Sequence, residues 1–140
     1  MKYSLKLSVF LFASLALTGS ALGSDTVVGK WHMKIKFERD RLTKFKSPED
    51  KAKKFALMSR AEALVVNLTL KPDHTFVIES WDGKKQNPTR SGKWTYAEKK
   101  ITLQRLEGGK PMGDPVVYYL DKDGKTYFVI QGPAKTTLTR

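Results

Sequence analysis

Apolar and polar residues alternate along the first stretch of the chain that has a clear structural pattern. In GKWHMKIKF every second residue is large and apolar, and these residues are Trp31, Met33, Ile35 and Phe37. The residues between them are charged or polar. A period of two with one apolar face is typical of a half-buried β-strand. The pattern therefore predicts a first strand that turns its apolar face towards a core.

The segment after this strand has a helical pattern. Ser47 is a suitable N-cap, Pro48 fits the first helical position, and two acidic residues follow where they favour the positive end of a helix. We expect a helix of about three or four turns that ends near Ala63. Its apolar residues lie on more than one side, as in a helix that is well covered or that closes over something apolar. Phe55 and Met58 are the residues expected to face that apolar space.

From Leu64 onward the pattern returns to strands. Seven further short runs are separated by turns, and these runs are LVVNLTL, TFVIESW, KWTYAE, KKITLQRLE, VVYYLD, TYFVIQ and KTTLTR. A short turn is expected at Glu98 and Lys99, and Asp-Gly in KDGK predicts a two-residue hairpin. The pattern predicts an all-β, up-and-down antiparallel barrel of about eight strands, with one helix inserted between strands 1 and 2. A two-sheet sandwich is the alternative that the same pattern allows.

The N-terminal residues have the pattern of a signal peptide. Lys2 and Lys6 supply positive charge, residues 5–17 are almost wholly apolar, and small residues follow at the positions that a signal peptidase reads. The apolar run is shorter than the ~20 residues that a membrane span needs. We therefore expect a signal peptide at 1–23, a single barrel domain at 24–140, and a periplasmic or secreted protein.

The composition excludes several kinds of chemistry. The chain has no cysteine, which removes thiol catalysis, thiolate zinc sites and disulfides. His32 and His74 are its only histidines, one on the outward face of a strand and one in a turn, so we expect neither a metal site nor a histidine base. No nucleophile, phosphate-binding or paired-carboxylate motif is present. The sequence predicts a protein without a cofactor and gives no reason to expect an enzyme.

The charge is strongly basic. The chain has 26 Lys and Arg against 14 Asp and Glu, and without Lys2 and Lys6 the counts are 24 and 14, a net charge of +10. Such a charge favours anionic partners, including an envelope surface or an acidic protein. Because the basic residues are scattered, a solvated surface is the favoured interpretation. With export, nucleic acid is not expected as a partner, and we expect a monomer.

Two polar residues are candidates for a site inside the barrel. Arg105 follows Ile101 and Leu103 at a period of two, so it is expected to point inward, where it can hold a carboxylate in bidentate fashion. Leu106 breaks the alternation, and a bulge or strand end there would expose the arginine. Tyr118 is expected to face inward as well, where its hydroxyl can orient a ligand or bond a neighbouring strand.

Gly-Lys-Trp at the start of the first strand resembles the Gly-x-Trp motif of the calycin superfamily, which includes the lipocalins and the fatty-acid-binding proteins. The segment YLDKDGKTYFVI is similar to the family's motif at a late hairpin. In that family a basic residue near the last strand packs on the tryptophan, and Lys135 or Arg140 would serve here. The residues assigned to this structural motif are Gly29, Trp31, Asp123, Tyr127 and Arg140. The inserted helix resembles the fatty-acid-binding branch, whose helices cover the barrel mouth.

The resemblance implies a binding protein for a small apolar or amphipathic ligand, anionic ligands included, and the N-terminal pattern implies that this protein is exported. Gly-Lys-Trp returns at Trp94, which lines a cavity together with Tyr96 or else fills the barrel. The expected ligand-binding residues are Met33, Ile35, Phe55, Met58, Trp94, Tyr96, Arg105 and Tyr118. The alternative is a filled barrel that acts as a protein-interaction module, such as a protease inhibitor or an envelope-associated factor. The sequence leaves open whether the barrel is hollow or filled.

Overall fold

A computed structural model describes residues 26–140, so the expected signal peptide at 1–23 lies outside the described residues. The strands are β1 (Gly29–Phe37), β2 (Val65–Leu70), β3 (Thr75–Trp81), β4 (Arg90–Ala97), β5 (Lys100–Glu107), β6 (Lys110–Pro111), β7 (Val116–Leu120), β8 (Tyr127–Gln131) and β9 (Ala134–Thr139). A 3-10 turn (Arg39–Arg41) and helix α1 (Pro48–Ala63) lie between β1 and β2. No helix within residues 26–140 has both the length and the hydrophobicity needed to cross a bilayer.

Eight of these strands form a closed antiparallel barrel. Their order around the barrel is β4, β3, β2, β1, β9, β8, β7 and β5, and pairing between β4 and β5 closes it. The short β6 pairs only with the end of β5. The predicted up-and-down barrel with one helix between its first two strands is therefore confirmed. A sandwich is excluded because one continuous ladder of hydrogen bonds passes through all eight strands.

The alternation along β1 positions its side chains as the sequence predicted. Trp31 is paired with Leu68 on β2, and Met33 is paired with Leu138 on β9. Because directly paired residues of antiparallel strands share one face, these four side chains all point into the barrel. The buried core is formed by Val27, Trp31, Leu68, Leu70, Phe76, Trp94, Ile101, Leu103, Tyr118, Tyr127, Val129 and Leu138.

Trp31 closes the barrel at the end opposite α1, which we call the closed end. Its indole N–H donates to the carbonyl of Val27 at 2.8 Å, and its ring meets Tyr127 edge to face at a centroid distance of 5.5 Å. The Arg140 guanidinium lies 4.3 Å from the centroid of the Trp31 ring and donates to the carbonyl of Thr26 at 2.6 Å. Arg140, and not Lys135, therefore occupies the place that the resemblance gave to a basic residue.

The second Gly-Lys-Trp lies on β4, three strands from β1 in the barrel, and its tryptophan has a similar arrangement. The Trp94 indole N–H donates to the carbonyl of Lys71 at 3.0 Å, and the His74 ring stacks on the indole at 4.6 Å. Gly92 allows β4 to pack closely, because a Cβ there would overlap the carbonyl oxygen of Gln104 and lie 2.8 Å from the Phe76 ring. Trp94 is 1% exposed and fills the interior.

Helix α1 begins at the predicted cap and is tied to β1 by one carboxylate. The Ser47 hydroxyl accepts a hydrogen bond from the backbone N–H of Asp50 at 3.1 Å. Near the other end, Glu62 accepts from the Arg39 guanidinium at 2.6 Å and from the backbone N–H of Phe37 at 3.2 Å. Met58 is the buried residue of the helix, whereas Leu57 is 62% exposed.

The connection between β7 and β8 differs from the prediction. Leu120 pairs with Tyr127, so the loop has six residues and the predicted two-residue hairpin at Asp-Gly is wrong. Asp123 accepts hydrogen bonds from the backbone N–H groups of Lys125 and Thr126, both at 2.9 Å. These bonds pair two backbone N–H groups of the loop with a side chain of the same loop, as aspartate commonly does in turns. They also lower the pKa of Asp123.

The turn between β4 and β5 is confirmed at the two predicted residues. Ala97 pairs with Lys100, and the two residues between them have positive φ angles, 53° at Glu98 and 62° at Lys99. Positive φ at both central positions is the requirement of a type I′ hairpin, whose twist matches that of the flanking strands. Residues other than glycine and asparagine adopt this conformation at some cost, so the surrounding ladder holds the turn in place.

We expect Gly92→Ala to destabilise the barrel by about 1–3 kcal/mol, because the new methyl group has no space between β4 and β5. Urea denaturation followed by circular dichroism measures the change. Ser91→Ala is the matched control, since Ser91 lies on the exposed outward face and its loss should change stability by less than ~0.5 kcal/mol. Equal midpoints for the two variants would contradict the close approach at Gly92.

We expect Arg140→Gln to destabilise the barrel by about 1 kcal/mol, since the variant loses the cation–π contact with Trp31. The control is Arg60→Gln, which removes the same charge from an exposed position on α1. Thermal unfolding of the two variants and the parent protein gives the comparison. A loss of stability as large in Arg60→Gln would show that net charge, and not the closed end, accounts for the effect.

Candidate ligand-binding site

The interior of the barrel is filled in one half and open in the other. A cavity of about 650 Å³ lies at the end that carries α1, and we call it the helix-end cavity. Its apolar wall is formed by Met33, Ile35, Leu64, Val66 and Ile78. Its polar rim includes Ser80, Asn87, Thr89, Arg90 and Arg105. The barrel is therefore filled at the closed end and hollow at the end that carries α1.

The size of the inward residues explains this division. Towards the closed end the inward positions carry rings, and Trp31, Phe76, Trp94, Tyr118 and Tyr127 are all buried. Along the same strands, towards α1, they carry unbranched or β-branched aliphatic side chains that are only half buried. Eight strands enclose an interior that side chains can just fill, so replacing rings by smaller groups leaves space for a small ligand.

Two arginines stand on the inward face of the rim. Arg90 is paired with Ile78 on β3, and Arg105 is paired with Gly92 on β4. Since paired residues share a face, both arginine side chains start from the inner surface of the barrel. Gly92 has no side chain, and so nothing on β4 separates the stem of Arg105 from that of Arg90.

Neither of these arginines has a carboxylate partner among residues 26–140. The ion pairs in this part of the chain are Arg39–Glu62, Arg41–Glu38 and Lys54–Asp50. An arginine presents a rigid fork of N–H donors that matches a carboxylate or phosphate. Arg90 and Arg105 therefore leave two such forks available at the rim of an apolar cavity.

The structure brings together only part of the set of residues predicted for the site. Met33, Ile35 and Arg105 line the helix-end cavity. Trp94 and Tyr118 belong to the filled half of the barrel. The remaining three residues lie elsewhere and are Phe55, Met58 and Tyr96.

The helix residues Phe55 and Met58 are not among those that line the helix-end cavity. The Phe55 ring packs edge to face on Phe45 at 5.8 Å, and the Arg39 guanidinium lies 5.7 Å from the Phe55 ring centroid. Of α1 and its C-terminal cap, only the cap residue Leu64 contributes to the cavity wall. The helix thus borders this cavity through its C-terminal end.

Arg90 is the functional candidate that the sequence analysis missed. It continues the period of two through Gly92, Trp94 and Tyr96, and this spacing is the signal that identifies it. The signal is weak because Gly92 shows no apolar side chain and because Pro88 and other turn residues precede Arg90. β4 nevertheless begins at Arg90, three residues before the predicted strand.

A second concavity, of about 720 Å³, lies at the closed end and includes Trp31, Tyr96, Tyr127 and Arg140 among its lining residues. Arg140 is already engaged there by the Trp31 ring and by the carbonyl of Thr26. The Tyr127 hydroxyl donates to the Tyr96 hydroxyl at 3.3 Å. These contacts close the end of the barrel. Arg90 and Arg105 at the helix-end cavity have no comparable ion pair in the described part of the chain. The helix-end cavity is therefore the better candidate for a ligand.

The buried tyrosines are neutral hydroxyl groups at ordinary pH. Burial raises the pKa of Tyr118 to about 12. Burial, together with the hydrogen bond to Tyr96, also raises the pKa of Tyr127. Neither hydroxyl is therefore suited to remove a proton from a substrate near pH 7. Within residues 26–140 no three His, Cys, Asp or Glu side chains come together as a metal site.

No protein-family model matches this chain, and no curated protein or solved structure shows significant similarity to it. The architecture itself is an eight-stranded antiparallel barrel with one helix, which is consistent with a calycin-like barrel. What the interior binds has to be argued from the residues of the helix-end cavity.

We expect the attachment of α1 to weaken in acid. The Arg39 guanidinium and the Phe37 N–H hold the pKa of Glu62 below its ordinary value of 4.5. A lowered pKa in the folded state means that the stabilisation is present above pH 4.5 and is lost as the pH falls through the lowered pKa. The protection factors of the α1 amides, which correct for the pH dependence of intrinsic exchange, should fall over that acidic range, and Glu62→Gln should show the lower protection already at neutral pH.

The control for this experiment is Glu49→Gln, which removes an exposed carboxylate from the first turn of the same helix. Its effect on exchange near Ala63 should be small, because Glu49 lies more than three turns away. If Glu62→Gln and the parent protein protect the α1 amides equally at neutral pH, Glu62 does not hold the helix on β1.

Proposed function

We propose that this domain is an exported, lipocalin-like binding protein that takes one small amphipathic anion into the helix-end cavity. The observation that carries the proposal is the pair of inward arginines, Arg90 and Arg105, without carboxylate partners at the rim of an apolar cavity. The apolar part of the ligand packs on the wall formed by β1, β2 and β3. Its anionic group accepts hydrogen bonds from the two guanidinium groups.

The dimensions of the cavity support a ligand of moderate size. Pockets for small molecules usually measure about 300–1,000 Å³, and the helix-end cavity falls within that range at about 650 Å³. The filled half of the barrel limits how deeply a ligand can enter, since Trp94 and Phe76 occupy the interior below the cavity. A ligand therefore keeps its anionic end at the rim, where the arginines are.

The chemistry of the rim favours an anion over a neutral ligand. Two unpaired guanidinium groups on one rim repel each other, and an anion between them removes this repulsion. Charge-assisted hydrogen bonds from arginine to a carboxylate are among the stronger ones in proteins. Both arginines are exposed to solvent, so a bound anion replaces water at their guanidinium groups.

A protein-interaction module is the second candidate function. Leu57 on α1 and Val65 at the start of β2 are 62% and 57% exposed, and these apolar side chains are available for contact with a partner. The filled half of the barrel also suits this function, because a filled interior makes a rigid scaffold. A partner on this surface would not require Arg90 or Arg105.

The first test is calorimetric titration with decanoate and with decanol, which have the same chain length and differ in charge. We expect Arg90→Gln and Arg105→Gln each to weaken decanoate binding by about 1.5–3 kcal/mol, the usual contribution of a hydrogen bond to a charged group. Decanol binding should change little in either variant, because the alcohol makes no ion pair.

Arg60→Gln is the matched control, since it removes an arginine from exposed α1 and outside the helix-end cavity. It should bind decanoate as the parent protein does. Equal weakening by all three substitutions would show a general effect of charge. If neither decanoate nor decanol binds the parent protein, the small-molecule proposal fails and the protein-interaction module is favoured.

A further inference from the structure

The charged residues at the outward positions of five neighbouring barrel strands are all basic. On the five neighbouring strands β5, β7, β8, β9 and β1, the outward positions carry no aspartate or glutamate. The charged residues at these positions are Lys30, Lys34, Lys36, Lys100 and Lys135. We call these five lysines, with the side chains between them, the lysine face. Five of the 24 basic residues that follow Lys6 thus lie on strand positions of one part of the barrel surface.

The strand registers align a row of side chains across this face. Lys100 is paired with Tyr119, Tyr119 with Phe128, Phe128 with Thr137, and Thr137 with Lys34. Directly paired residues lie side by side on one surface of the sheet. Neighbouring strands are about 4.8 Å apart, so the row is about 19 Å long, with a lysine at each end and two aromatic rings near its middle.

The aromatic rings of this row are accessible and lie close to lysine ammonium groups. Tyr119 is 45% exposed, and Phe128 is half buried. The Nζ of Lys100 lies 5.5 Å from the Tyr119 ring centroid, and the Nζ of Lys135 lies 5.1 Å from that of Phe128. No carboxylate among residues 26–140 forms an ion pair with any lysine of the face. The face therefore presents positive charge next to flat apolar surface, and the acidic influence on it is that of Glu62 on Lys36, at the edge towards α1.

We propose that the lysine face binds a linear acidic polysaccharide. Such a chain carries carboxylate or sulfate groups at regular intervals, which pair with the lysines, and its sugar rings have apolar C–H faces that pack on Tyr119 and Phe128. Lysine is a point charge without the rigid fork of arginine, and this suits repeated charges more than one fixed group. The binding surface is on the outside of the barrel, so it is independent of the helix-end cavity.

Two other anionic partners fit less well. Single-stranded nucleic acid also combines stacking with charge, but the expected signal peptide directs the domain out of the compartment where nucleic acid is abundant. An anionic membrane is flat, whereas this face curves around the barrel, and the Phe128 ring is half buried. The acidic polysaccharide accounts for the charge, the rings and the length of the row together.

The test compares two triple variants with the same net charge. One is Lys34→Gln, Lys100→Gln and Lys135→Gln on the lysine face. The other is Lys53→Gln, Lys84→Gln and Lys93→Gln, at exposed positions on α1, in a loop and on the outward side of β4. Binding to polygalacturonate, to dextran sulfate and to uncharged dextran is measured by biolayer interferometry at about 0.15 M salt.

We expect the parent protein to bind polygalacturonate or dextran sulfate and not dextran, with the preferred polymer identifying carboxylate or sulfate as the recognised group. The lysine-face variant should lose about tenfold in affinity, since three exposed ion pairs each contribute about two- to threefold. The control variant should lose much less. Tyr119→Ser, which keeps the charge, should also weaken binding.

Three results would overturn the proposal. Equal losses in the two triple variants would mean that only the net charge matters. Tighter binding to a thymidylate oligonucleotide or to vesicles of anionic phospholipid than to either polymer would assign the face to a different partner. Absence of binding to both acidic polymers would leave the lysine face without this function. Circular dichroism of each variant verifies that the barrel is folded.

Discussion

Every second residue of the eight barrel strands has to share one interior, and this constraint determines most of what the structure does. The volume that eight strands enclose is just enough for side chains. Where the inward residues are Trp31, Phe76, Trp94 and Tyr127, the volume is used completely. Where the inward residues are Met33, Ile35 and Val66, they leave part of the volume unfilled, and this space is the helix-end cavity. The position of the candidate site thus follows from the order of large and small residues along each strand.

The same alternation shapes the outer surface. Outward residues alternate with the inward apolar residues of β1, and three of these outward residues, Lys30, Lys34 and Lys36, are lysines. Register then brings lysines and aromatic residues of different strands into the row that crosses the lysine face. A barrel has no sheet edges, so its outside is a continuous surface on which residues distant in sequence become neighbours. The two proposed binding regions are the two sides of one sheet.

The sequence predicts the barrel well because a period of two is a strong and local signal. It also predicts the Ser47 cap of α1, since the cap, Pro48 and the acidic first turn agree with one another. It fails where a single side chain decides the local geometry. Asp123 accepts hydrogen bonds from two backbone N–H groups, and the connection has six residues where Asp-Gly predicted a two-residue turn. Gly92 has no apolar side chain, so it conceals the period of two that places Arg90 on the inner face. Which residues border the cavity depends on packing in three dimensions, as the position of Phe55 shows.

A methyl NMR titration with decanoate tests the central claim, the division of the barrel into a filled half and a binding half, most directly. Ile35 and Ile78 line the helix-end cavity, whereas Ile101 and Leu138 are fully buried in the filled half. We predict large, saturable shifts at the methyl groups of Ile35 and Ile78, with much smaller ones at Ile101 and Leu138. Shifts centred on Ile101 and Leu138, or no shifts at any of the four, would contradict this account.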